Sequence, residues 1–375
     1  MLFVEVKGIH IFLVSVGRFE SRWDSECPGG GKPLKYSMEA QSKLVPEMMN
    51  VLQERYRVLT YVEMAGPVGR RPLGEMAGLS ERETRTMMDL LRKQQLIDIA
   101  KNGMTITNEG KEVLESLKPT MEQWSGRLSL ENRLKASLGI HAVKVVAGNS
   151  DVDVATKSLL GMAAAKMFVT HINKGKTVAV TGGSSVASIP AYIDIENDAS
   201  NLLFVAARGG VGQDIGLQAN VIAASFAAAC GGSYSPFYYP ESLSAEAHEA
   251  FRKDPSVLKM IDLYDEVDCV LHGIGDAQTM ATMRGSSEEE RVMLKKTEAK
   301  GEAFGYYFNR YGEAVHRIRT IGIQIDQIER VPLLISIAGG SSKAESILSY
   351  MATAPKQTIL ITDEGAAIDM MNRLT

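Results

Sequence analysis

Two stretches of the chain share a composition suited to holding an anion. Thr181-Gly182-Gly183-Ser184-Ser185 follows the apolar run ending at Val180, and Ala338-Gly339-Gly340-Ser341-Ser342-Lys343 follows the run ending at Ile337. Paired glycines let backbone amides approach a ligand closely, hydroxyls add donors, and the start of a following helix adds a favourable dipole. Both loops therefore suit phosphate. Neither has the spacing of a nucleotide-binding fingerprint. One Gly-Gly-Ser-Ser copy is equally well read as a tight strand-to-helix turn; two copies after two strands favour the anion reading. Other polar groups recur in the same setting. Arg208 follows the run ending at Val205, Gln218 comes shortly after, His272 follows Leu271, Arg284 lies a little further on, and Glu302 precedes an aromatic run. Arginine forks and Lys343 can neutralise phosphate, whereas Glu302 and Gln218 can exchange hydrogen bonds with sugar hydroxyls. An isolated Arg208 or Arg284 is ordinarily a surface ion-pair residue, and an isolated His272 a satisfied histidine at a strand end. Their position after strands sets them apart, and the combination points to a phosphorylated sugar.

A second chemistry lies between Leu73 and Leu96. A short helix around Leu73, Glu75, Met76 and Ala77 is stopped by Gly78, and Ser80 with Glu83 makes the spacing of a capping box. Thr84, Met87, Met88, Leu90, Leu91 and Leu96 form an apolar stripe, with Arg82, Arg85, Arg92 and Lys93 largely off it. The segments 96–99 and 104–107 alternate like strands, and Asn102-Gly103 between them predicts a type I′ hairpin. Helix, turn, helix and hairpin make a winged helix, with Arg70, Arg71, Ser80, Arg82, Thr84 and Arg85 as the candidate DNA contacts. A capped amphipathic helix alone would also suit a small bundle, with its arginines merely solvated. Acidic and basic residues nearly balance from Leu44 to Pro119, so a non-specific phosphate clamp is not indicated.

These residues need elements to position them. Runs at 143–146, 177–180, 202–205, 269–271, 333–337 and 358–362 are short and apolar, as buried parallel strands require. Their alternation with helical segments predicts a doubly wound α/β domain whose ligand site lies at the carboxyl ends of the strands. Helices are expected over 43–64 and 109–117. The stretch 119–139, with Trp124, Leu128, Leu130 and Leu134, reads as a helical connector whose apolar residues call for self-association. The chain of 375 residues accommodates this division: 1–37 as a disordered extension or start-site artefact, 38–120 as the winged-helix domain, 121–140 as the connector and 141–375 as the effector and oligomerisation domain.

A net charge of −4 excludes a whole-surface nucleic-acid coat. Cys27, Cys230 and Cys269 are widely spaced and odd in number, which offers neither a disulfide framework nor a metal site and fits a reducing cytoplasm. Nothing in the sequence resembles a membrane span. The apolar start of the chain is interrupted by Glu5, Lys7 and His10 and makes a poor signal peptide.

From about Gln41 onward the chain resembles the SorC family of sugar-responsive bacterial transcriptional repressors. The resemblance is carried by Gly69-Arg70-Arg71, the turn Gly78 to Arg82, Asn102-Gly103-Met104, Val180 to Gly183, Ala207-Arg208-Gly209-Gly210, His272 to Gly275, Glu302 to Asn309, Gly339 to Glu345 and Thr362 to Ala367. It implies a repressor of glycolytic genes that works as a homodimer or homotetramer on repeated operator DNA, with an effector domain similar to sugar-phosphate isomerases. It further implies fructose-1,6-bisphosphate as inducer, no cofactor, and effector contacts from Gly182, Gly183, Ser184, Ser185, Arg208, Gln218, Arg284, Glu302 and Lys343. Met283-Arg284 stands where a relative has two arginines, and the role is assigned to Arg284. The rival reading is a sugar-phosphate isomerase or aldolase-like enzyme with a fused DNA-binding domain. For it Glu302, Asp276 and His272 are conceivable bases and Lys157 a conceivable amine, but no spacing singles out a pair.

Overall fold

The computed structural model describes residues 2–6, 9–13, 44–172, 176–194, 201–209, 214–237 and 244–375. At the start of the chain, β1 (Leu2–Val6) and β2 (Ile9–Leu13) pair antiparallel. The remainder of segment 1–37, Cys27 included, lies outside the described residues.

The winged helix opens with α1 (Pro46–Ala65), followed by α2 (Arg70–Ala77) and α3 (Glu81–Lys93). Gly78 ends α2 in the left-handed region at φ 65°, with open space where a side chain would be, so backbone conformation rather than crowding selects glycine. The Ser80 amide donates to Glu83 (2.9 Å) while the Glu83 amide donates to Ser80 Oγ (3.3 Å), which completes the anticipated capping box. Glu81 and Glu83 in the first turn and Arg92 and Lys93 in the last both complement the helix dipole.

The wing differs from its sequence reading by one residue in register. β3 (Ile97–Ala100) pairs with β4 (Gly103–Ile106), so the turn is Lys101-Asn102, and neither residue has the positive φ of a type I′ turn. Gly103 belongs to β4 because Val68 lies beside it. The Val68 amide donates to Met104 O (2.9 Å) and the Met104 amide to Val68 O (2.8 Å), and a Cβ on Gly103 would stand 2.9 Å from Val68 backbone atoms. Close backbone approach and a φ of 131°, rather than a type I′ turn, explain this glycine.

Beyond the wing, α4 (Asn108–Trp124) runs further than expected and contains Pro119; α5 (Arg127–Leu138) follows after a short break. The chain then enters a seven-stranded sheet in which every pairing is parallel. Its strands are β5 (Ala142–Val146), β6 (Thr177–Val180), β7 (Leu203–Ala206), β8 (Ser233–Ser235), β9 (Cys269–Gly273), β14 (Leu333–Ile337) and β15 (Thr358–Asp363). The spatial order is β5-β15-β14-β9-β6-β7-β8. Helices cover the sheet as burial of both faces demands. On one face α6 (Val154–His171) contributes Phe168, which packs with Phe204 and Phe226; on the other Leu134 of α5 joins Val143, Val145 and Leu360.

Two features escaped the sequence reading. β8 is Ser-Tyr-Ser at the sheet edge, too polar and short to register. A second, antiparallel sheet in the order β10 (Gly275–Asp276), β11 (Ala299–Ala303), β12 (Tyr306–Asn309), β13 (Ala314–Arg317) starts one residue after β9. Pairing of Gly275 with Glu302 therefore carries Glu302 to the carboxyl end of the central sheet. Among the described residues no helix is long and apolar enough to cross a membrane.

Replacing Gly103 by Ala should force the wing away from Val68. Amide exchange at Val68 and Met104 should speed up by at least about tenfold, on the order of 1.4 kcal/mol of lost local protection, while the central sheet keeps its exchange rates.

Candidate functional site

Four loops line up along the carboxyl edge of the central sheet, in the strand order β14-β9-β6-β7. The loop after β6 is the more open of the two glycine loops. Gly182 sits against the Leu217 carbonyl, where a Cβ would come within 2.6 Å, and Gly183 takes φ 112° while its amide donates to the same carbonyl (2.9 Å). The helical turn Ser184–Ala187 starts there, with Ser184 exposed and Ser185 half-buried. Among the described residues neither serine hydroxyl has a hydrogen-bond partner. Gln218 directly follows Leu217 and caps the helix Ala219–Cys230, so it borders this loop as expected.

The second loop has the same backbone form but a different electrostatic state. Gly340 takes φ 98° and its amide donates to Asp363 Oδ2 (2.7 Å). Asp151, from the segment after β5, accepts from the Ser342 amide (2.8 Å), Ser342 Oγ (2.8 Å) and Ser341 Oγ (3.1 Å). The two loops were expected to be equivalent phosphate cradles; the second already holds carboxylates, because the β5 and β15 strand ends supply their own acids. Burial would raise the Asp151 carboxyl, but the Ser342 amide, the two hydroxyls and nearby Lys343 outweigh it and hold the group below its ordinary range. Lys343 moves in the opposite sense to an ordinary lysine. Burial and the neighbouring Lys157 lower it, against the pull of Asp151, Asp276 and Asp363. Among the described residues its ammonium has no hydrogen-bond partner, although it stands close to these acids.

A buried charge cluster forms where the segment after β7 meets the antiparallel sheet that follows β9. Glu302 Oε1 accepts from Arg284 Nη2 (2.9 Å), Arg208 Nη1 (3.2 Å) and the Gly305 amide (2.7 Å), and all three side chains are about 5–6% exposed. Arg284 also donates to the Tyr307 hydroxyl (2.9 Å). Burial alone would raise the Glu302 carboxyl, but the two guanidiniums and the Gly305 amide keep it low and ionised. Glu302 thus ties two guanidiniums to one carboxylate oxygen. Arg208 is fixed by bridging to Gly322, and Arg284 turns inward while its neighbour Met283 is more than half exposed. Tyr307 was missed because its partner emerges only once β10 to β12 are paired.

His272 departs from its expected place. It lies within β9, fully buried, receives the Ser336 hydroxyl at Nε2 (2.6 Å) and packs against Phe304 and Tyr350. Burial pushes its pKa down to about 4, so it is a neutral strand-to-strand link. Asp276 caps the helix Ala277–Met283 through the Thr279 amide (2.8 Å). With Glu302 engaged by arginines and Lys157 exposed, the base and amine of an enzymatic reading are not assembled.

On the winged helix, Arg82 and Arg85 are exposed along α3. Arg70 pairs with Glu81 (3.0 Å) and Arg71 with Glu75 (3.2 Å), and both arginines remain accessible. Ser80 is exposed but its side chain serves the cap. Thr84 is corrected: only 1% exposed, it donates to Ser80 O (2.9 Å) and faces Gly74, where α2 and α3 meet. Its branched side chain belongs to the apolar stripe and cannot reach DNA from there. Among the described residues no group of acids, histidines and cysteines could hold a metal ion.

Residues 122–372 match the family model of the sugar-binding domain, and residues 51–121 match that of the CggR N-terminal DNA binding domain. Among curated proteins, the central glycolytic genes regulator of Priestia megaterium is 41% identical over 335 residues, covering 89% of this chain and 98% of the relative. The Bacillus subtilis protein of the same name is 39% identical over 330 residues, covering 88% and 97%. Among solved structures, a SorC family transcriptional regulator from Enterococcus faecalis has a TM-score of 0.61 at 38% identity, covering 65% of this chain and 99% of that one. The full-length sorbitol operon regulator of Klebsiella pneumoniae shares the fold at TM-score 0.60 and 18% identity, covering 82% and 94%.

Two outcomes follow from the buried charges. Glu302→Ala leaves two buried guanidiniums without their shared carboxylate and should cost about 3–5 kcal/mol in thermal or denaturant unfolding, with Glu302→Gln milder. For His272, the unfolded state takes up a proton at about 6.5 and the folded state only at about 4. Stability should therefore be full above about pH 6.5 and fall as pH drops through that window, and His272→Gln should flatten the dependence in a melting-temperature series.

Proposed function

Because the chain belongs to the family of the central glycolytic genes regulators, a branch of the SorC family, we propose that it represses glycolytic genes and is released from its operator by a phosphorylated sugar, with fructose-1,6-bisphosphate as inducer. It is a DNA-binding transcriptional regulator with a sugar-binding domain and not an enzyme. The observation that carries the bisphosphate reading is spacing. The Ser184-Ser185 loop after β6 and Lys343 after β14 are separated by one strand, β9, and therefore by about 10 Å along the sheet edge. That span suits one ligand with a phosphate at each end. Near them stand the guanidiniums of Arg208 and Arg284, held by Glu302, and Gln218 carries an amide suited to a sugar hydroxyl.

In this reading the first phosphate takes the amides and hydroxyls of Ser184 and Ser185, at the start of the helical turn after Gly183, and the second is met by Lys343. An anion beside Lys343 would offset the burial and the neighbouring Lys157 that disfavour its charge. A cytoplasmic homodimer or homotetramer places several α3 helices on the operator, with Arg82 and Arg85 as the contacting forks and Arg70 and Arg71 near the backbone phosphates. Release requires the ligand to bind one arrangement of the subunits more tightly than the other.

Calorimetric titration with fructose-1,6-bisphosphate and an operator mobility shift test this together. Lys343→Ala should weaken the sugar bisphosphate by roughly tenfold or more while leaving operator affinity within about twofold. Arg82→Ala and Arg85→Ala should leave ligand binding intact, weaken operator binding and reduce the salt dependence by about one counterion per lost phosphate contact. An operator affinity indifferent to every phosphorylated sugar would overturn the proposal.

A further inference from the structure

The segment Ala147 to Asp153, between β5 and α6, has no part in the effector contacts described above, yet it joins the effector loops to the DNA-binding side of the chain. Toward the effector, Asp151 holds Ser341 and Ser342 through three hydrogen bonds of 2.8–3.1 Å, and a Cβ on Gly340 would collide with its carboxylate at 2.3 Å. Two residues on, Asp153 Oδ2 accepts from the hydroxyl of Tyr61 (3.5 Å), a buried residue of α1 in the winged-helix domain. Burial and Asp153 push the Tyr61 phenol up to about 12, so it stays a neutral donor. In the same segment the Gly148 amide donates to Glu364 Oε2 (2.9 Å), whose other oxygen receives Arg127 of α5 (3.0 Å).

Hydrogen bonds tie these ends together. Val152 and Asp153 both donate their amides to Asn149 O (3.1 and 3.0 Å), which closes a tight turn around Asp151, and the Asn149 side chain donates to Ser341 (3.0 Å). Asp153 in turn caps α6 through the Ala155 amide (2.9 Å) and holds Thr156 (2.9 Å). A carboxylate at Asp151 and a phosphate oxygen would compete for the same Ser342 amide and serine hydroxyls, beside the same Lys343. The competition is between two anions for one set of donors.

We propose that the Ala147 to Asp153 segment transmits effector occupancy to the winged helix, with Asp151 as an internal anion that a phosphate group displaces from the Gly340 to Ser342 loop and Asp153 as the contact to Tyr61. The proposal rests on the reading that a phosphorylated sugar binds at this sheet edge. Displacement of Asp151 shifts the turn, and the shift reaches α1 through Asp153 and α5 through Glu364. By reciprocity, a change that frees the loop from Asp151 tightens the effector and loosens the operator.

Full-length wild type, Asp151→Asn and Tyr61→Phe, each checked for an unchanged cooperative melt, are titrated with fructose-1,6-bisphosphate and then with operator DNA at zero and saturating bisphosphate. Asp151→Asn should bind the bisphosphate about three- to tenfold more tightly, since a neutral amide competes less well than a carboxylate for the loop donors. Tyr61→Phe should keep the bisphosphate affinity within about twofold but shrink the ligand-induced loss of operator affinity by at least about threefold. Unchanged or weaker ligand binding in Asp151→Asn sinks the internal-anion role, and a full ligand response in Tyr61→Phe sinks the route to the winged helix, each leaving the effector reading intact. Failure of the wild type to bind the bisphosphate overturns that reading and the proposal with it. If Asp151→Asn does not fold, Asp151→Ser answers the same question.

Discussion

One carboxylate oxygen, Oε1 of Glu302, gathers donors from three separate places: Arg208 after β7, Arg284 after the helix Ala277–Met283, and the Gly305 amide in the turn between β11 and β12. Charges this deeply buried are tolerated only when paired and hydrogen-bonded, so the cluster ties the antiparallel sheet to the carboxyl edge of the parallel one. A pair would be electrically silent. Two arginines on one acid instead fix two guanidinium forks beside the edge where the glycine loops open, in a setting where solvent screens charge poorly. Tyr307 narrows the freedom of Arg284 further.

A second acid organises the other end of the same edge. Asp363, fully buried at the end of β15, accepts from the amides of Gly340 (2.7 Å), Ser150 (2.8 Å) and Ala366 (2.9 Å). It thus binds together the loop after β14, the segment after β5 and the start of the last helix. The two ends of the edge are built on opposite principles: acid satisfied by arginine near β7, acid satisfied by backbone amides near β15. This asymmetry explains why two loops of nearly identical sequence, one open and one filled, are not interchangeable. An anionic ligand reaching both must meet them differently.

Much of this was legible before any coordinates. Six of the seven parallel strands have a run of branched apolar residues, which only a sheet buried on both faces requires, and the glycine pairs mark the strand ends because no other residue takes φ near 100° so readily. Local rules sufficed for the Ser80 capping box, where both partners lie within one turn. They failed where a distant segment decides. Gly103 answers to Val68, His272 sits in the strand because β14 offers Ser336, and Thr84 turns inward because α2 crosses it at Gly74. Asp151 carried no motif at all; its meaning depends on a loop almost two hundred residues away.

The winged helix shows why such a sensor need not carry a strongly basic surface. Acidic and basic residues nearly balance there, and two of its arginines, Arg70 and Arg71, are already paired with Glu81 and Glu75. Exposed pairs of this kind contribute little to stability and exchange readily for phosphate, so they moderate affinity rather than abolish it. In the proposed assembly a single copy grips weakly and the outcome rests on how several copies are arranged, because linked sites multiply small differences in geometry into large differences in occupancy. Under the proposed coupling, a ligand that shifts the turn around Asp151 acts on transcription without touching a base.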